Sequence, residues 1–468
     1  DGKFYWEAGD KIWVKDDSGN WKQSSNSPTG KTASFKFLMP GKYTAKSSYE
    51  VYYPGKNGNK DKVTISANQK QTEPNTTAHF GASGDCGIAK ATRNATSHEF
   101  EFALDHKAAY LVFKPYTNND ILKHCYLTKI EVTSDNDITS TYTLDPTAAT
   151  GTGALTGTGS GKKIELITKG NSGSTYPNGF PLTNTSASLT TNGAYMVIKP
   201  GTHTLRIRYW VKDVATQIEG TITKIIPSHT FAKNEYVNME ADLQIKNYDG
   251  DKYYMWDAQQ NYWAGHEWNS AAPWQPVLNN TSNGNYPKSS SDPNHRYYHE
   301  SGGSGRFDAT QSCAGLPNAN EMSWYCMFGD PRWDADELWT TMGHLYKGGM
   351  WFKKKSVLQA ENHYDTEKSA DNITDVRATA RPYSNTNGSI YNSGLPSAAD
   401  VGNYFYLPAL GYYKSGRLFE IGSNGYYWTS NAYRYYNRYA YYLGFKSNEV
   451  YVRNEYRSNG FRTEPSFE

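Results

Sequence analysis

The densest set of groups able to hold a ligand lies in Thr429-Ser430-Asn431-Ala432-Tyr433-Arg434-Tyr435-Tyr436-Asn437-Arg438-Tyr439. Polar and aromatic side chains interleave there with no apolar face of period 2 or 3.6, so packing of a regular element does not account for them. Tyrosine planes stack on the faces of sugar rings, and guanidinium and amide groups hydrogen-bond hydroxyls and carboxylates. The stretch reads as a contact loop formed by Tyr433, Arg434, Tyr435, Tyr436, Asn437, Arg438 and Tyr439, set against the plainer reading of a polar surface loop. Trp428, directly before it, is either a further stacking platform or a core residue.

Signs of catalysis are few. The chain has no G-x-S-x-G, H-E-x-x-H or P-loop spacing, and its 11 histidines are scattered. The 4 cysteines, Cys86, Cys125, Cys313 and Cys326, form no C-x-x-C pair that would suggest a zinc ribbon or a redox site. Cys313 and Cys326 lie close enough in sequence to bridge within one loop, and Cys86 and Cys125 could pair across two strands, with free buried thiols as the alternative. The expectation is a protein that is not an enzyme and needs no cofactor. A structural calcium on loop carboxylates stays compatible, although no motif calls for it.

These groups have to be positioned by strands. The 468 residues include 39 Tyr and 13 Trp against 8 Met, a mixture that favours half-buried pleated surfaces and polar turns. A net charge of +2 with 20% charged residues gives no field for nucleic acid, and no apolar run reaches membrane-spanning length. Short strands are predicted at 33–38, 49–53, 63–65, 109–114, 127–132, 163–167, 194–198, 204–211 and 236–245, and again at 404–407, 426–428, 440–445 and 449–452. Clean alternation restarts at Phe100 after a polar stretch, which predicts a domain boundary near Arg93. The 145–162 segment reads as a long exposed loop, and 249–306 as either loop-rich structure or a linker. Asp334 to Met342 reads as the most convincing helix, capped by Asp334 and Asp336 and ended at Gly348-Gly349. The start at Asp1 reads as a processed or trimmed terminus.

Residues 1–247 resemble the fimbrillin family of Bacteroidia-type pilins. The likeness rests on Trp6-x-x-Gly9-Asp10-x-Ile12-x-Val14, Tyr52-Tyr53-Pro54, Phe100-x-Phe102-x-Leu104-x-His106-x-x-Ala109-x-Leu111, Pro200-Gly201 and a closing strand from Phe231 to Leu243. The resemblance implies two tandem transthyretin-like β-sandwiches, 1–92 and 93–247. It also implies export as a lipoprotein, cleavage near the N-terminus and joining of subunits by strand donation. The last part of the chain resembles the bacterial FISUMP-type domains, which look like C-type lectin folds. The matching pieces are Trp333-Asp334-x-Asp336-Glu337-Leu338, Leu407-Pro408-Ala409-x-Gly411-Tyr412, Gly425-Tyr426-Tyr427-Trp428-Thr429-Ser430 and Ser458-Asn459-Gly460-Phe461-Arg462. It departs from typical members in its Tyr/Arg-rich stretch and in having no cysteine near the C-terminus. Glu73-Pro74-Asn75 spells a lectin calcium motif but lies in the N-terminal sandwich, so it carries no calcium assignment.

The fold expected is mainly β: two sandwiches followed, over 248–468, by an α+β lectin-like domain with an irregular opening segment. The function expected is a structural and adhesive subunit of a surface pilus, at or near its tip. Its partners would be other pilus subunits, through strand donation, and an extracellular glycan or matrix protein, with no nucleic acid. The alternative is a surface-anchored glycan-binding lipoprotein with no role in a polymer.

Overall fold

A computed structural model describes residues 2–148, 153–300, 305–464 and 467–468. The terminus at Asp1 and part of the 145–162 segment lie outside the described residues. The fold is mainly β, and the chain divides into two compact units, Asp1–Gln244 and Ile245–Glu468.

In the first unit an antiparallel sheet runs in the order Trp21–Gln23, Trp13–Lys15, Ser48–Tyr53, Gly87–Arg93, with Phe100–Glu101 and Asp105–His106 on the outer edge of Gly87–Arg93. This sheet continues past the boundary expected at 92/93. Two further sheets form a second layer pair. One contains Ile218–Phe231, Gly201–Asp213, Tyr126–Ser134 and Lys163–Ile167; the other contains Ala194–Ile198, Ala109–Tyr116 and Tyr236–Asp242. Ala109, Tyr110, Leu111, Phe113 and all of Ala194–Ile198 are at most 1% exposed, which explains their continuous apolar runs: strands covered on both faces do not alternate. Strand Asn68–Lys70 joins this pair by parallel pairing to Lys163–Ile167, and Lys62–Thr64 pairs with Thr141–Asp145. Early and late parts of the unit are therefore interwoven.

Gln69 and Gln71 show how the open edge of Ala194–Ile198 is closed. The Gln69 amide donates to the Val197 carbonyl at 2.7 Å and accepts from the Val197 N–H at 2.9 Å. Gln71 does the same for its neighbours, donating to the Gly193 carbonyl at 2.9 Å and accepting from the Tyr195 N–H at 2.8 Å. Both side chains are almost fully buried, so they stand in for a missing strand's backbone.

In the second unit a six-stranded sheet runs Tyr253–Tyr254, Phe461–Arg462, Gly425–Ala432, Tyr439–Lys446, Glu449–Tyr456, Tyr383–Asn385. Helix Ala319–Phe328 packs on it, with Met322, Tyr325 and Cys326 meeting Leu443, Phe445, Val450 and Val452 in one core. Its start is fixed by a capping box: the Asn318 side chain accepts from the Glu321 N–H at 2.8 Å, and the Glu321 carboxylate accepts from the Asn318 N–H at 3.1 Å. Of the segment read as loop or linker, the described residues 249–300 have little regular structure but form no linker, because Trp256, Tyr262 and Trp263 are fully buried.

Three expectations are corrected. Asp334 to Met342 is not a helix; Arg332–Thr341 is a strand flanked by Lys246–Tyr248 and His344–Lys353. Its acidic residues form a bulge in which 335–337 oppose Gly348 alone. Asp334 holds the bulge, accepting from the N–H of Asp336 at 3.0 Å, the N–H of Glu337 at 3.3 Å and Trp351 Nε1 at 3.0 Å. Burial of Leu338 to Thr341 in succession is the mark of an inner strand, which outweighs the helix-start composition. Second, all four cysteines are free and buried, so neither bridge forms; burial pushes the Cys125 thiol up to about 12. Third, residues 33–38 form no strand, and Ala154–Thr156 is a strand within the segment read as loop.

Replacing Gln69 by Leu keeps the volume but leaves the Val197 N–H and C=O unpaired in the core. At about 1–3 kcal/mol for each orphaned group, the loss is about 2–6 kcal/mol. Denaturant unfolding of the N-terminal unit measures it; a change within about 0.5 kcal/mol would contradict this account of the edge.

Candidate functional site

Strands Gly425–Ala432 and Tyr439–Lys446 form a hairpin, and the Tyr/Arg-rich stretch is its turn. Ala432 faces Ala440, the Tyr433 N–H donates to the Tyr439 carbonyl at 3.0 Å, and the Tyr439 N–H donates to the Tyr436 carbonyl at 3.1 Å. Tyr435 is 49% exposed and Tyr436 62%, with Asn437 and Arg438 exposed beside them. The rings are ordered against one another. Tyr433 and Tyr436 stack at 6.2 Å, and Tyr439 lies 4.7 Å from Tyr456, which is itself exposed. Arg434 donates to the Ala378 carbonyl and lies over the Tyr435 ring at 5.3 Å. Arg457 locks the base of the loop: buried at 1% exposure, it donates to the Tyr439 carbonyl and the His299 carbonyl, both at 3.0 Å, and sits over Trp256 at 4.8 Å. Burial lowers its pKa to about 10, still far above neutrality, so the cation persists.

Trp428 is corrected. It is 1% exposed, and its Nε1 donates to the Tyr254 carbonyl at 2.7 Å, so it is a core residue that supports the hairpin rather than a stacking platform. Its inward position follows from the pleat, which turns Trp428 toward Phe461 at 4.3 Å.

A second feature lies in the first unit, at residues that the expectation of strand donation did not single out. Among the described residues, the sheet face carrying Ile12, Val14, Tyr49, Val51, Ala89 and Ala91 has no opposing sheet. It is covered by two single extended segments bearing Phe37, Met39 and Tyr43, and Phe100, Phe102 and Leu104. Thr92 faces Glu101 and Ile88 faces Asp105 in one register, yet the residues between, 102–104, bow away from the edge. Among the described residues, the main-chain groups of Phe35, Phe37, Met39, Phe102 and Leu104 make no hydrogen bond. Two cavities, of about 680 Å³ and 280 Å³, open along this face and share Phe35, Lys36, Glu99, Phe100 and Phe102 as lining. The smaller is floored by Ile12, Val14, Val51 and Ala91. The period-2 alternation of Phe35, Phe37 and Met39 was the available signal: Lys36 and Leu38 between them pair with Ser25 and Asn26, which leaves the other edge of the segment unpaired among the described residues.

The larger cavity ends on a buried polar cluster. Asp85 accepts from His106 Nδ1 at 3.0 Å and from the hydroxyl of Tyr110, while Asp10 accepts from the Tyr53 hydroxyl at 2.7 Å and the Glu7 N–H at 2.7 Å. Phe4 stacks on His106 at 3.7 Å. Burial raises the Asp10 carboxyl, and the nearby Asp85 adds to that. Burial lowers His106, but the charge and hydrogen bond of Asp85 outweigh it, so the net shift is upward. No group of three or more potential metal ligands occurs among the described residues.

Both shifts carry the same sign. A raised folded pKa means the folded unit holds its proton more tightly than the unfolded chain. The His106 contribution is complete below its ordinary value of 6.5 and disappears as pH rises through the raised folded value. Stability of the N-terminal unit should therefore fall as pH rises above 6.5 through that raised value, and His106→Gln should flatten the dependence. Urea midpoints across this range check it; parallel curves for both proteins would refute it.

No family model matches the chain, and no curated protein matches it. Among solved structures, a candidate cell adhesion protein from Bacteroides ovatus is 15% identical with a TM-score of 0.28, covering 51% of this chain and 83% of its own. A second, from Bacteroides uniformis, is 16% identical with a TM-score of 0.30, covering 51% and 88%. A fimbrial protein from Bacteroides ovatus is 10% identical with a TM-score of 0.24, covering 98% and 93%. Likeness at this level carries no functional argument.

Proposed function

We propose that the chain is a structural and adhesive subunit of a bacterial surface pilus. The N-terminal unit would accept a β-strand from another subunit, and the C-terminal unit, read as a C-type-lectin-like domain, would present the Tyr433–Tyr439 loop to an extracellular ligand. The observation that carries this reading is the half-covered sheet face, with unused main-chain groups on both covering segments and an apolar floor between them.

An inserted strand satisfies both needs at once. Each main-chain hydrogen bond contributes about 0.5–1.5 kcal/mol, and each inward apolar side chain about 1.5–3 kcal/mol on burial. A short donor with three inward side chains gains about 5–9 kcal/mol from burial alone. The tyrosine loop is shallow and open by comparison. It suits a weak contact multiplied over many copies on a cell surface. Tip position, export across the outer membrane and a lipoprotein precursor belong to the same proposal.

The two roles separate by mutation. Ala91→Trp fills the smaller cavity and should block incorporation into pili while adhesion by the isolated subunit persists. Replacing Tyr435, Tyr436 and Tyr439 together by Ala should abolish adhesion and leave incorporation intact. Pilus fractionation and a cell-binding assay read the two outcomes. Unchanged incorporation in the first variant would remove the groove's role, and unchanged adhesion in the second would remove the loop's.

A further inference from the structure

We infer that a small pocket beside the tyrosine loop, bordered by Tyr286, Tyr297, Tyr456, Lys288, Lys414 and Asn459, takes a single anionic sugar unit, carboxylated or sulfated, and sets the specificity of the adhesive surface. This rests on the adhesive reading of the loop.

The pocket has a volume of about 230 Å³. That is below the roughly 300–1,000 Å³ of a drug-sized site, so it suits one ring rather than a chain. Its clearest indication is Asn459, which is 3% exposed. The Asn459 N–H donates to the Tyr456 carbonyl at 3.1 Å, but among the described residues its side-chain amide has no partner. The amide opens onto the pocket, where solvent reaches it and where a hydroxyl or carboxylate would pair with it.

Charge narrows the ligand class. The lining includes Lys288 and Lys414 and no Asp or Glu. Neither lysine has a carboxylate within 4.0 Å among the described residues, and Lys288 Nζ sits 5.1 Å over the Tyr286 ring. Arg438, on the loop, acts electrostatically on Tyr297 of the lining, as does Glu300 from the opposite sign. Asp292 is neutralised by Arg296 at 2.7 Å, and Glu455 is engaged by the Tyr456 N–H at 3.0 Å. The lining itself therefore carries two cations and no carboxylate, with Glu300 and Glu455 keeping their charge outside it.

The backbone fixes the turn that carries Lys414. Ser415 adopts φ +49° and Gly416 φ +77° in the turn after Lys414, and a Cβ on Gly416 would lie 2.1 Å from the Asn283 carbonyl oxygen. The Gly416 N–H donates to the Tyr262 hydroxyl at 3.0 Å. Tyr456 joins pocket to loop, because it lines the former and its ring lies 4.7 Å from Tyr439. An acidic sugar in the pocket would leave the rest of a glycan running over Tyr439, Tyr436 and Tyr435.

The full chain is titrated with 3′-sialyllactose, 6-sulfo-N-acetyllactosamine and lactose. At least one acidic probe should bind about tenfold more tightly than lactose and weaken as salt rises from about 50 to about 300 mM. Which acidic probe wins distinguishes carboxylate from sulfate. Lys288→Glu with Lys414→Glu should lose that preference, Lys288→Arg with Lys414→Arg should keep it, and Asn459→Ala should weaken binding with an unchanged melting temperature. Equal binding of all three probes, no binding of either acidic probe, or full binding by the double Glu variant would overturn the inference. If that variant still binds while the triple tyrosine variant loses adhesion, the pocket fails and the loop reading stands. If the triple variant still adheres, the loop reading itself fails.

Discussion

A β-sheet face taken out of water has to be covered, and each main-chain group it buries has to be paired. The N-terminal unit meets this requirement in two opposite ways. Along Ala194–Ile198, the side chains of Gln69 and Gln71 supply donors and acceptors at strand spacing and close the edge from within. Over Ile12, Val14 and Val51 the closure is partial: the Asn26 side chain pairs the Lys36 carbonyl and the Leu38 N–H, while among the described residues the main-chain groups of Phe35, Phe37, Met39, Phe102 and Leu104 stay unpaired beside an open cavity. The contrast between a sealed edge and an unsealed face organises the functional reading of this unit.

The C-terminal unit solves a different problem, that of holding polar, aromatic side chains outward on a short turn. Hairpin register alone does not fix such a loop. Arg457 does so from below by capping carbonyls of two separate segments over the face of Trp256. Asp257 does similar work nearby: its carboxylate accepts from the N–H groups of Thr310 at 2.9 Å, Gln311 at 2.8 Å and Cys313 at 3.1 Å, and from His299 Nδ1 at 2.7 Å. Buried charges cost several kcal/mol unless fully engaged, at roughly 1.5–3 kcal/mol per hydrogen bond to a charged group. Here that engagement is what ties 249–300, which has little regular structure, into the buried support of the hairpin.

The strands at 163–167 and 194–198 were legible to the residue because the alternation of the first and the apolar run of the second are bounded by turn residues. The helix at Ala319–Phe328 was also legible in principle, through Asn318-x-x-Glu321, but its buried positions run all round rather than along one stripe, which hid it from periodicity. Arg332–Thr341 misled in the other direction. Acidic residues ahead of Leu338 and Trp339 look like a helix start, whereas Asp334 caps a bulge whose partners, Gly348 and Trp351, lie across the sheet.

By itself, the sequence determined the β character, most strand positions and the polar, aromatic nature of the Tyr433–Tyr439 turn, because these follow from side-chain period and local turn chemistry. Tertiary structure alone decided that Trp428 faces inward, that four cysteines stay apart as thiols, that Phe35 to Met39 lacks a partner strand and that Lys288, Lys414 and Asn459 meet Tyr456 at one pocket. Each of these depends on contacts between residues far apart in the chain, and local periodicity holds no information about which distant backbone or side chain arrives to fill, or to leave open, a given space.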